Sequence, residues 1–148
     1  MAFKEDVENH QEVSNCYNPG LQALGAYSNK VKPSDPGKTE GSVFLETCLQ
    51  NDYRDAPLWD YMIGYASKVY FVEIHPASTS NVREMVNKVR WLKKWLNESG
   101  SIFLNNKTSH FPYRWVATSR VAISKNSRQA REIAKNGLSF PQKVTNLP

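Results

Sequence analysis

Residues 59–76, WDYMIGYASKVYFVEIHP, constrain the fold more than any other stretch of the chain. Tyr61, Ile63 and Tyr65 alternate with Asp60, Met62 and Gly64, and Tyr70, Val72 and Ile74 alternate with Phe71, Glu73 and His75. A period of two over runs rich in β-branched and aromatic residues predicts two strands joined by a tight turn. With Ala66-Ser67 as the loop, Tyr65 pairs with Lys68, and counting outward sets Asp60 opposite Glu73. Opposed residues of an antiparallel pair share a face, with Cβ atoms ~5 Å apart. His75, two residues beyond Glu73, falls on that face too. A three-residue loop would put Asp60 opposite Ile74 and the acids on opposite faces. Ala-Ser is not a favoured two-residue turn, but a four-residue loop over 65–68 restores the register, so an even loop is the expectation. Carboxylates so placed repel each other, and a divalent cation would offset the repulsion. The plainer alternative is a strand with solvent-facing acids and a polar histidine.

Charge narrows the partner. Residues 1–60 hold five Lys/Arg and ten Asp/Glu, a net of −5; residues 61–148 hold fourteen and four, a net of +10, which together give the overall +5. A half that basic points to a polyanion, nucleic acid first; the alternative is an acidic half folding over a basic one. At 148 residues, 40% hydrophobic with four Trp, the chain reads as one domain with a packed core. No apolar run approaches the ~20 residues that span a bilayer, which argues against a membrane partner. The polar, acidic start MAFKEDVENHQEVSN lacks signal-peptide regions, so a cytoplasmic location is expected. Cys16 and Cys48 are widely spaced, without a zinc pattern, and read as free thiols rather than a disulfide. His10 and His110 read as surface residues.

Residues 1–38 form an N-terminal extension, with a short polar helix over 4–13 and a surface loop over 32–38. The core is 39–148. Residues 41–50 suit a short helix with Phe44, Cys48 and Leu49 inward, or a strand. Pro76 ends the second hairpin strand. The clearest helix covers 81–98, capped by Asn81 with Glu84 three residues on. Val82, Met85, Val86, Val89, Leu92 and Leu96 make its apolar face, and Arg83, Asn87, Arg90 and Lys94 a polar stripe. Strands follow at 112–118 and 120–124, then a helix over 127–136 that starts at Ser127 and stops at Gly137. This helix–strand–strand–helix–strand–strand–helix order is an α/β sandwich with a mixed sheet flanked by helices. The connection from the 70–75 strand to the 112–118 strand is long enough for a parallel crossover.

A hairpin carrying an Asp, then an acid-x-Lys position on the next strand, between helices, resembles the PD-(D/E)xK nuclease superfamily over residues 40–124. Asp60 matches its first Asp and Glu73 its second acid. Glu46 or Glu40 matches the further acid of the preceding helix. The resemblance implies a restriction-endonuclease-like core and metal-dependent phosphodiester cleavage of nucleic acid. Asp60, Glu73 and the Ile74 carbonyl would hold Mg²⁺ or Mn²⁺, and the pattern admits a homodimer. His75 stands where the family has Lys. It would act as a neutral base, as a charged group beside the phosphate, or as a third metal ligand that favours Mn²⁺; otherwise the site is dead and the chain is a binding module. Lys88, Arg90, Lys93, Lys94, Arg114 and Arg120 are the expected backbone contacts. Tyr61, Trp91, Trp95 and Trp115 read as core rather than base-stacking residues. A small-molecule hydrolase with His75 as base lacks a nucleophile motif.

Overall fold

The hairpin forms in the even register. In the computed structural model, which describes residues 2–148, the chain runs α1 (Ala2–Glu8), β1 (Val31–Pro33), β2 (Thr39–Phe44), α2 (Leu45–Leu49), β3 (Tyr61–Tyr65), β4 (Lys68–Ser78), α3 (Val82–Glu98), α4 (Ser101–Asn105), β5 (Tyr113–Ala122), α5 (Arg128–Lys135) and β6 (Thr145–Leu147), with 3-10 turns at Gln22–Lys30, Pro36–Lys38 and Thr79–Asn81. Tyr65 pairs with Lys68 and Tyr61 with Val72. The loop is Ala66-Ser67, at φ 50° and 64°. Those are the left-handed angles that a two-residue hairpin turn needs and that Asn-Gly would supply without strain. Here the Ser67 N–H donates to the Glu40 carboxylate at 2.6 Å, which ties the strained turn to β2.

The main sheet is mixed, in the order β2-β3-β4-β5. The first three strands are antiparallel, and β4 and β5 are parallel. The long crossover through α3 is what makes that parallel pairing feasible. β1 and β6 form a separate parallel pair. Both faces of the sheet are covered. Met62, Phe71, Tyr113 and Trp115 pack with Met85, Val89, Leu92 and Leu96 of α3. Tyr61, Ile63, Tyr70, Val72 and Val116 pack with Leu24, Val31 and Leu147 on the other side. Residues 2–38 therefore contribute to both layers, with Phe3, Val7 and Val13 buried against the first. Gly64 lets α1 dock there: a Cβ at this position would lie 2.3 Å from the Phe3 ring.

The α3 face is as expected, with Val82, Met85, Val86, Val89, Leu92 and Leu96 buried and Arg83, Arg90 and Lys94 exposed. α5 also matches its signals: the Ser127 hydroxyl accepts from Ala130 N–H, and Gly137 follows the helix at φ 79°.

Several expectations are corrected. Residues 41–50 are not one helix: β2 ends at Phe44 and a five-residue α2 follows. The strands expected at 112–118 and 120–124 are one strand, β5. Pro76 does not end β4, which runs to Ser78 across a register shift between His75 and Ala77. Proline has no N–H for the ladder, and an irregularity is where a sheet tolerates it. Asn81 is not the cap of α3 through its side chain; the cap lies one turn earlier, at Ser78, whose N–H and hydroxyl donate to Asn81 Oδ1 in a capping box, and Glu84 turns toward His75 instead. The expected 32–38 loop holds part of β1 and a 3-10 turn. Cys16 and Cys48 are not free thiols but a disulfide joining the N-terminal segment to α2. None of the described helices is long and apolar enough to cross a membrane.

Candidate functional site

Asp60 and Glu73 meet at the open end of the hairpin, beyond the last paired residues Tyr61 and Val72. Because the ladder has ended, their backbone donors turn to the carboxylates. Asp60 N–H donates to Glu73 Oε1 at 2.9 Å, and Ile74 N–H donates to Asp60 Oδ2 at 3.1 Å. Asp60 is 9% exposed and Glu73 is 0%. Two acids packed this way are held close by mutual backbone bonds that a one-residue register slip would abolish.

The cation beside them is Lys88, a residue expected to face nucleic acid. It lies on the buried side of α3, 8% exposed. Its Nζ donates to Glu73 Oε2 at 2.7 Å and lies 3.9 Å from both Asp60 Oδ1 and Glu46 Oε2. The signal was in the spacing: Lys88 is three residues after Met85 and four before Leu92, on the apolar stripe rather than the polar one. His75 is half-buried between two acids, with Nδ1 3.6 Å from Glu73 Oε2 and Nε2 3.0 Å from Glu84 Oε1. Glu84, not foreseen as part of the site, thus orients the ring.

Protonation follows from this crowding. Burial, then the charge of Glu73, pushes the Asp60 carboxyl up to about 8, against the pull of Lys88. Asp60 therefore keeps its proton near neutral pH. The hydrogen bond to Glu73 raises the His75 pKa, burial opposes it, and Glu84 adds to the rise. Burial pulls Lys88 down, but the surrounding carboxylates outweigh it and raise its pKa overall. Lys88 is a permanent cation here.

The other expected residues divide. Glu46, on α2, reaches the site through Lys88. Glu40 does not: it sits at the opposite end of the hairpin, holding Ser67 and the Phe3 N–H. Arg90 and Lys94 are exposed. Lys93 is tied to the Asn136 carbonyl at 2.6 Å and lies over the Tyr113 ring. Arg114 is 7% exposed; its guanidinium holds the Phe111 and Asn146 carbonyls and the Thr145 hydroxyl on the far face of the sheet. It is a tie to β6 rather than a phosphate contact. Arg120 is exposed near the end of β5. Tyr61, Trp95 and Trp115 are buried, as read from spacing. His10 is not a bare surface residue: its ring lies tilted against Trp95 and Phe103.

A cleft of about 390 Å³ between α2, the 50–58 loop and α3 opens onto the cluster, lined by Glu46, Tyr53, Asp55, Glu84 and Lys88 among others. Among the described residues no three His, Cys, Asp or Glu side chains form a ready-made metal cage. A cation here would rely on Asp60, Glu73 and backbone or water oxygens. Such oxygens suit a hard ion such as Mg²⁺ or Mn²⁺ rather than a thiophilic metal, and the ion would have to displace the Asp60 proton and the Lys88 contact to Glu73. Compared with protein-family models, with curated proteins and with solved structures, the chain matches none.

Proposed function

We propose that the protein is a divalent-metal-dependent phosphodiesterase acting on nucleic acid, on a restriction-endonuclease-like core of the PD-(D/E)xK kind. The observation that carries this reading is the joining of Asp60, Glu73 and Lys88 at one buried point, with Lys88 also lining the cleft beside it. The run α2, β3, β4, α3, β5 supports the same core. Lys88 takes the place of the lysine that His75 displaces on β4: an ammonium reaches the second acid from the neighbouring helix instead of from the strand.

Asp60 and Glu73, with the Ile74 carbonyl, would hold the ion, Asp60 giving up its proton as the ion enters. When bound, the ion activates a water and neutralises charge developing on the phosphate. Lys88 keeps a fixed positive charge beside the attacked phosphate and hydrogen-bonds the incoming oxygen. His75, its pKa raised between Glu73 and Glu84, serves as the protonated partner of the phosphate or leaving oxygen rather than as the base.

The second reading, a catalytically inactive binding module, is favoured by one observation: Lys88 already neutralises Glu73 at 2.7 Å. A time course on plasmid, single-stranded DNA and RNA with Mg²⁺ or Mn²⁺ separates the two. Cleavage by the native protein, lost in Asp60→Ala and in Lys88→Ala, supports the enzyme. Cleavage that persists in Asp60→Ala belongs to a contaminant or another site, and no cleavage on any substrate leaves the binding module.

A further inference from the structure

α3 is a wall shared by two cavities. On one side lies the cleft with Glu84 and Lys88. On the other lies a groove of about 430 Å³ between α3 and α5, lined by Arg83, Asn87, Arg90 and Arg128, with Glu132 its acid. Arg83 and Arg128 are exposed and, among the described residues, have no carboxylate at ion-pair distance. Arg90 donates to Asn136 through Nε, which leaves the outer guanidinium nitrogens toward the groove. The two walls touch residue by residue: Arg83 precedes Glu84, and Asn87 precedes Lys88.

We infer that this groove binds the sugar–phosphate backbone of one nucleic-acid strand and leads it over α3 to Lys88, an inference that rests on the phosphodiesterase reading. Three arginines from two helices line one groove of about 430 Å³, and guanidinium forks suit phosphate oxygens. Along α3, Arg83 and Arg90 are seven residues apart, about 10 Å of helix. The acidic cleft repels phosphate, so the strand needs a cationic foothold outside it, and the groove is the adjacent one. This route uses Arg83 and Arg128 in place of Arg114, which is buried elsewhere.

The test is fluorescence anisotropy of a labelled oligo-dT strand in EDTA over a range of NaCl, with Mn²⁺ cleavage measured in parallel. Each phosphate contact contributes about 0.7 to the salt slope for a single strand. Arg83→Gln/Arg90→Gln/Arg128→Gln should lower that slope by about 2 and weaken binding about a hundredfold at about 0.1 M salt. The double variant Arg83→Gln/Arg128→Gln keeps the Arg90–Asn136 bond; it should lower the slope by about 1.4 with an unchanged melting temperature, which excludes misfolding as the cause. Neutralising Lys4, Lys38 and Lys68, exposed on other elements, should leave binding within about threefold, since they make no contact to the strand. Unchanged binding by the arginine variants, while the native protein binds and cleaves, overturns the groove and leaves the phosphodiesterase reading standing. Native protein that neither binds nor cleaves ends both. Displacement of the strand by polyglutamate as readily as by unlabelled oligo-dT would make the groove a dock for acidic protein and overturn the inference.

Discussion

Asp60→Asn should stabilise the protein, and increasingly so as pH rises. The amide keeps the shape of the side chain and the acceptor for Ile74 N–H, and it presents an N–H to Glu73 as a protonated carboxyl would. The magnitude follows from the shift of the Asp60 carboxyl from 3.8 to about 8. A carboxyl whose pKa is raised by folding gives its full contribution below about pH 4, and that contribution is lost as pH rises through about 8. Each pH unit in that window is about 1.4 kcal/mol. Between about pH 5 and pH 8 the native protein should therefore lose up to about 4 kcal/mol relative to the variant; relaxation around the buried pair makes about 2–4 kcal/mol the working figure. Urea unfolding across that range reads the effect as a diverging pair of midpoints at constant slope. Parallel curves, with a gap independent of pH, would refute the claim that burial beside Glu73 holds the Asp60 pKa up in the folded protein.

Two further outcomes follow from the same contacts. Lys88→Met leaves Glu73, 0% exposed, without its cation and should cost about 3–5 kcal/mol, about 10–15 °C in Tm for a domain of this size; adding Glu73→Gln should recover most of it, and calorimetry showing simple additivity would contradict the pairing. Reducing the Cys16–Cys48 disulfide, with its sequence separation of 32, should cost about 3–4 kcal/mol from loop entropy; a urea midpoint unmoved by dithiothreitol would mean that the crosslink adds nothing to packing already made by Phe3, Val7 and Val13.

The opposition of Asp60 and Glu73 was legible because a period of two leaves two registers, and the loop length chooses between them. The turn itself was harder to read, since its left-handed angles are borne by Ala66 and Ser67 and secured by Glu40 from a third strand. Lys88 was legible in position but not in role. Helical spacing places it on the apolar stripe, yet the carboxylates that make a buried lysine tolerable come from β3, β4 and α2, and periodicity says nothing of them. Arg114 misled in the same way: alternation puts it opposite Tyr113 and Trp115, on a face that would be open without β6. A three-residue strand carries too little pattern to announce itself, so the cover was invisible. The disulfide could not be read from two cysteines, because spacing without a partner strand or helix fixes no distance.

Whether Asp60 and Glu73 bind a metal is decided by titrating Mn²⁺ into the native protein near neutral pH, followed by calorimetry in buffers of different ionisation enthalpy. Saturable binding accompanied by proton release is expected, because Asp60, pushed up to about 8, must lose its proton to become a ligand. Asp60→Asn should abolish both the binding and the proton release while leaving the fold intact. Absence of binding to the native protein, or binding that Asp60→Asn leaves unchanged, would contradict a metal site at Asp60 and Glu73.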